Sequence, residues 1–127
     1  MKYVLMVILC ISSAVSFAQQ EIKVDDAKKH IGENVKICTK IYGGKFFEKD
    51  TLTLLNAGGY YPDAPLTIVI HGEARKAFNN KPEEYYKGAE VCITGTVELF
   101  KENPQIVVAR KDQIVEQLKD HISKEPR

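Results

Sequence analysis

The chain has no tryptophan, two methionines and only three cysteines among its 127 residues. So few cysteines exclude a disulfide-dense scaffold and leave any all-thiolate zinc site incomplete. No apolar stretch reaches the roughly 20 residues that a membrane-spanning helix needs. Charge of one sign is missing as well, since 18 lysines and arginines stand against 17 acids. No internal repeat or long low-complexity segment interrupts the chain. Catalytic signatures are absent too: there is no Gly-x-Ser-x-Gly elbow, no phosphate-binding glycine loop and no His-Glu-x-x-His pair. The adjacent acids Asp25-Asp26 and Glu83-Glu84 both fall in first helical turns, where the helix dipole accounts for them. The sequence therefore predicts a binding module and not an enzyme, with no catalytic residue, cofactor or metal to name.

What is present begins with an export pattern. Lys2 precedes the apolar run Val4 to Ile11, and Ser16-Phe17-Ala18 supplies the small-x-small exit of a secretory leader. A lipidated Cys10 is the alternative, disfavoured by Leu9 before it. Residues 1–18 are thus expected to be a signal peptide cleaved after Ala18, and the mature protein to be periplasmic or secreted. The leader takes one lysine and no acid with it, which leaves 17 bases against 17 acids. A duplex-binding protein usually shows a basic excess, so any nucleic-acid site has to be a local patch. Cys10 also leaves with the leader. The remaining pair, Cys38 and Cys92, reads as one disulfide in an oxidising compartment, with two unpaired buried thiols as the alternative.

The mature chain is long enough for one domain with one core, expected over residues 19–122 with a frayed tail over 123–127. Asp25 to Gly32 reads as a short helix, with acids first, bases last and a glycine stop. Two-residue alternation then marks a strand from Val35 to Tyr42, which Gly43-Gly44 is expected to break, allowing a bend, a bulge or a loop. Thr51–Leu55 and Leu66–His71 read as the second and third strands, joined by the turn-rich Tyr60-Tyr61-Pro62-Asp63-Ala64-Pro65. Glu73–Phe78 and Glu83–Lys87 are helical in composition, with Pro82 suited to a first turn. Glu90–Phe100 and Gln105–Arg110 complete a set of five strands around the Lys101–Pro104 turn. Ile114, Val115, Leu118 and Ile122 recur at helical spacing and predict a short amphipathic tail.

Five short strands with helix between the third and fourth follow the order of an OB barrel. The segments Ala27–Cys38, Leu54–Pro62, Leu66–Ile70, Glu84–Val97 and Pro104–Val108 resemble small exported bacterial proteins with a nucleic-acid-binding OB-fold. The resemblance implies an all-β fold with short helices, a five-stranded barrel with its helix between strands three and four. It also implies that the first and fourth strands pair antiparallel. Alternation then puts Cys38 and Cys92 on the same outward face, within reach of a disulfide.

In such modules the ligand crosses strands two and three, between the loops after strands one and four. That places Tyr42, Lys45, Phe46, Phe47 and Lys49 of the first loop among the candidates. Aromatic rings there would stack on bases while the lysines follow the phosphates. Tyr60 and Tyr61 form a second aromatic pair beside a proline turn, and His71 ends the third strand. Lys101 and Arg110, with Phe100, would complete a basic and aromatic rim. Each has an ordinary reading beside it: Phe46 or Phe47 capping the core, a tyrosine packed on the sheet end, lysines simply solvated. Of Tyr85 and Tyr86, one ring is expected in the core. The resemblance implies single-stranded nucleic acid as the partner. The alternatives are a small molecule, glycan or peptide, as in OB-fold proteins of the envelope-stress type, or docking on an envelope protein.

Overall fold

The computed structural model describes residues 19–117. The expected leader over residues 1–18 and the chain from residue 118 onward lie outside them. Among the described residues seven strands occur: β1 (Gln20–Ile22), β2 (Asn34–Phe47), β3 (Leu52–Ala57), β4 (Leu66–Ile70), β5 (Glu90–Phe100), β6 (Asn103–Val108) and β7 (Ile114–Glu116). A 3-10 turn covers Val24–His30, where a helix was expected, and two one-turn helices, α1 (Gly72–Arg75) and α2 (Pro82–Tyr85), separate β4 from β5.

The expectation of a five-stranded OB barrel is corrected. The strands form one mixed seven-stranded sheet, ordered β1-β2-β3-β4-β6-β5-β7, with an additional pairing of β2 and β5. β1 runs parallel to β2, and β4 runs parallel to β6. Three local features account for the difference. Gln20–Ile22 is too short to show periodicity, yet it pairs with Val35–Ile37. Gly43-Gly44 does not end the strand: β2 continues to Phe47, with an irregularity between Ile41 and Gly43. Ile114 and Val115, read as the start of a helix, alternate as buried and exposed strand residues against Cys92 and Ile93 of β5.

β2 is long enough to serve three neighbours. Its first half carries β1 and β5, and its second half pairs with β3 from Ile41↔Ala57 to Phe47↔Leu52. Alternation then sorts the side chains. Val35, Ile37, Ile41, Leu55, Ile68, Ile70, Ile93 and Ile106 point into one apolar core and are fully buried. Ala27 of the 3-10 turn and Tyr86 just after α2 join the same core. Tyr86 is the expected core ring of its pair, 3% exposed against 49% for Tyr85. Burial pushes the Tyr86 phenol up to about 12, with the Glu116 carboxylate and Tyr85 adding to it.

Cys38 and Cys92 are register partners on β2 and β5 and are bonded, with Cα atoms 3.9 Å apart. The bond closes a loop of 54 residues in sequence separation. In the chain-entropy account that restricts the unfolded chain by about 4 kcal/mol. A buried glutamine fixes the corner between β6 and β7. Gln113 Oε1 accepts from the Ala109 and Arg110 amides at 2.8 and 2.9 Å, and its Nε2 donates to the Thr94 carbonyl at 2.9 Å.

Candidate functional site

On β3 the inward positions are Thr53, Leu55 and Ala57, all fully buried. The outward ones are Leu52, Leu54 and Asn56. A sheet face that meets water normally carries polar residues at such positions. Here two leucines occupy them, and the next strand repeats the pattern. Val69 points outward from β4, opposite Leu54 on one side and Val107 on the other, and is only 5% exposed. Pro104 of β6 is buried beside them.

These residues floor a cleft of about 440 Å³, within the range of small-ligand sites. Its remaining lining is Thr67, His71, Lys101, Asn103 and Gln105, with the rings of Tyr61 and Phe100. Both rings are largely in water, 80% and 56% exposed. Two loops flank the cleft, and both hold strained backbone. Thr51, just before β3, has φ 46°, while Lys101 and Glu102 between β5 and β6 have φ 48° and 67°. They are the non-glycine residues at positive φ among those described. Each costs of order 1–3 kcal/mol, and a β-branched residue such as Thr51 is an uncommon occupant.

Around the edge of the sheet a buried polar cluster anchors α1 and α2. Arg75 Nη1 donates to Thr53 Oγ1 and to Glu83 Oε1, each at 2.6 Å, and Nη2 donates to Glu83 Oε2 at 3.2 Å. The guanidinium also lies over the Phe46 ring, 3.8 Å from its centroid. Burial pushes the Glu83 carboxyl up, but the Arg75 hydrogen bonds and charge outweigh it and hold it below the usual carboxylate value. The side chains are 18% and 12% exposed, so this pair is largely withdrawn from water. Its geometry serves structure: it satisfies Thr53, the one polar residue that β3 turns inward.

The residues expected to bind ligand are divided by the fold. Tyr61, His71 and Lys101 line the cleft over β3, β4 and β6. Tyr42, Lys45, Phe46, Tyr60 and Tyr61 line a second cleft, along β2, together with Glu83, Glu84 and Lys87. Tyr42 and Tyr60 meet edge to face at 4.8 Å, and Lys40 lies over the Tyr42 ring. Phe46 is half-buried under Arg75, while Phe47 is exposed with Lys45 over its ring. Lys49 is a solvated loop residue that lines neither cleft. Arg110 lies apart, ion-paired to Asp112 at 3.0 Å, beside Gln19, Asn34 and Glu98.

This arrangement overturns the nucleic-acid expectation. Stacking on single strands needs cations that follow the backbone beside the rings. Among the described residues, Lys101 is the single lysine or arginine lining the apolar cleft, and it sits over the Phe100 ring. Lys45 and Arg110 lie elsewhere, beside Glu83 and Glu84 and beside Asp112, and Lys49 lines neither cleft. Among the described residues no continuous basic track crosses β3 and β4. The sequence reading does not single out the cleft floor, Leu52, Leu54, Val69 and Pro104, or its wall residues Thr67 and Gln105. The signal available was Leu52 and Leu54 flanking Thr53, which puts apolar residues on both faces of one strand.

Among the described residues no group of three or more His, Cys, Asp and Glu side chains could hold a metal ion, and no helix is long and apolar enough to cross a membrane. No protein-family model and no curated protein matches the chain. Among solved structures it is similar to a protein assigned as an aspartyl-tRNA synthetase from Leishmania major Friedlin, with 12% identity and a TM-score of 0.48. The likeness covers 86% of this chain and 23% of that one, so the chain spans less than a quarter of that protein's length.

Proposed function

We propose that the chain is a binding module, without turnover of its own, whose site is the cleft on the outward side of β3, β4 and β6. The ligand is small and uncharged, with an apolar body and a hydrogen-bonding edge. The observation that carries this reading is the pair Leu54 and Val69, apolar residues at outward register positions that together floor a concave surface. Apolar side chains at the bottom of such a cleft gain by excluding water, at about 25 cal/mol per Å² covered. Thr67, Asn103 and Gln105 would fix orientation from the wall, as the few polar groups of a ligand site do. Tyr61 and Phe100 would close over the ligand from the rim. Among the described residues no carboxylate lines the cleft, and its ionisable groups are His71, Lys101 and the Tyr61 phenol. That set disfavours a cation, and with Lys101 over the Phe100 ring the floor of leucines, Val69 and Pro104 carries no charge.

The expected setting is outside the cytoplasm. The leader pattern of residues 1–18 and the Cys38–Cys92 bond both favour an oxidising compartment.

A calorimetric titration of the oxidised chain with a panel of uncharged aromatic and aliphatic compounds tests the reading. Compounds that bind should lose about tenfold or more in affinity against Leu54→Lys, which places a charge on the cleft floor. Equal affinity for both proteins, with both folded, would contradict the assignment.

A further inference from the structure

A second site, sharing Tyr61 with the first, lies along β2. Every strand has two hydrogen-bonding edges. On β2, residues Val35–Ile37 use both, with β5 pairing along Asn34–Lys40 on one side and β1 along Val35–Ile37 on the other. From Gly43 to Phe47 the strand has β3 on one edge, and no strand among the described residues on the other. None of the backbone bonds made outside the strands and helices reaches this stretch either. The backbone groups directed to that edge have no protein partner there among the described residues. Such groups normally find one.

A cleft runs over this stretch, with Asn56 and Tyr60 on its β3 side and Glu83 and Glu84 of α2 on the other. Five consecutive residues, Tyr42 to Phe46, line this cleft of about 790 Å³. A cleft lined by successive residues of one strand follows its backbone, because side chains of one face alone would appear at every second position. Gly43 deepens it: a Cβ placed there would meet no atom within 4 Å. Its φ is not positive, so neither conformation nor crowding demands glycine at this position. A bare glycine in an open strand marks a place where another backbone can approach closely.

We propose that this edge of β2 binds an extended peptide segment, which adds to the sheet as a further strand. A backbone edge complements another extended backbone better than any side chain does. Tyr42 and Tyr60 would take an apolar side chain on the outward face. The charges facing the cleft select among peptides. Glu83 is neutralised by Arg75, which leaves Lys45 and Lys87 against Glu84, a surplus of one positive charge. A peptide of net negative charge fits it. A second copy of the same edge would bring like charge to like, so self-pairing is disfavoured.

The test uses the oxidised chain and a displayed library of short random peptides. Enriched sequences, remade as synthetic peptides, should be net acidic and should alternate apolar with polar residues. On binding, alternate backbone amides of Gly43–Phe47 should gain protection from hydrogen exchange. N-methylation of the peptide backbone at alternate positions should weaken binding about tenfold per lost bond. Gly43→Val, which has space for its side chain, should fold normally and bind less. The proposal is overturned if no peptide is enriched, if N-methylated peptides bind as well as the parents, or if protection appears away from β2. Protection of this edge in the free protein that rises with its concentration would also overturn it, by making a second copy the occupant.

Discussion

Gly43 and Gly44 adjoin in the chain but differ in their surroundings. A Cβ on Gly44 would lie 2.7 Å from the Leu54 carbonyl oxygen and 2.8 Å from Leu55 Cδ2, with Glu83 Cα at 3.3 Å. Backbone cannot give way as the end of a side chain does, so Gly44→Ala should destabilise the fold by about 1–3 kcal/mol. Gly43→Ala should stay within about 0.5 kcal/mol of the parent. Urea denaturation of the two variants separates them, and equal costs would contradict the packing described. Arg75 supplies a second residue-scale prediction. Removing it leaves both Thr53 and Glu83 without their partner, so Arg75→Met should cost about 3 kcal/mol. The Glu83 carboxyl titrates lower in the folded chain than its ordinary 4.5. Its contribution is therefore complete above that value and is lost as pH falls through the lowered one. Glu83→Gln should flatten this part of the acid limb in a pH series of denaturation curves. An unchanged limb would show that the pair contributes nothing.

At the scale of elements, the hairpin between β5 and β6 is built against its own sequence. Phe100 pairs with Asn103, and the two residues between them are both at positive φ, the pattern of a type I′ turn. That turn favours Asn-Gly, yet Lys101 and Glu102 fill it. Glu102→Gly should raise stability by about 1 kcal/mol, read from the denaturation midpoint. A loss instead would mean that the left-handed conformation is not what this turn requires. The same scale shows where sequence reasoning reached and where it stopped. Strands β3, β4, β5 and β6 were legible because alternation and turn residues agree there. The two short helices were legible from Pro82 and their acidic first turns. Gly43-Gly44 marks the irregularity between Ile41 and Gly43, one of the outcomes expected there, but not the end of the strand. Ile114 and Val115 misled, since two adjacent apolar residues fit either period and the partner strand decided. The cleft floor was hidden for a related reason. Leu52 and Leu54 look like core residues, and only the inward position of Thr53, held by Arg75 from a distant segment, reverses the faces.

For the whole molecule, one covalent bond joins the two central strands. The Cys38–Cys92 link was readable from the even pair of cysteines outside the expected leader, and it sits at the register Cys38↔Cys92. Reduction, or the double substitution of both cysteines by serine, should lower stability by about 4 kcal/mol in equilibrium denaturation. A change below about 1 kcal/mol would show that the unfolded chain is already compact around this pair.

The cleft is tested by an amide chemical-shift map of the oxidised, isotope-labelled chain with an uncharged compound bound. The largest shifts should cluster at Leu52, Leu54, Thr67, Val69, Asn103 and Gln105, with smaller ones at Tyr61 and Phe100. Shifts centred elsewhere, or none across a broad panel of uncharged compounds, would contradict it.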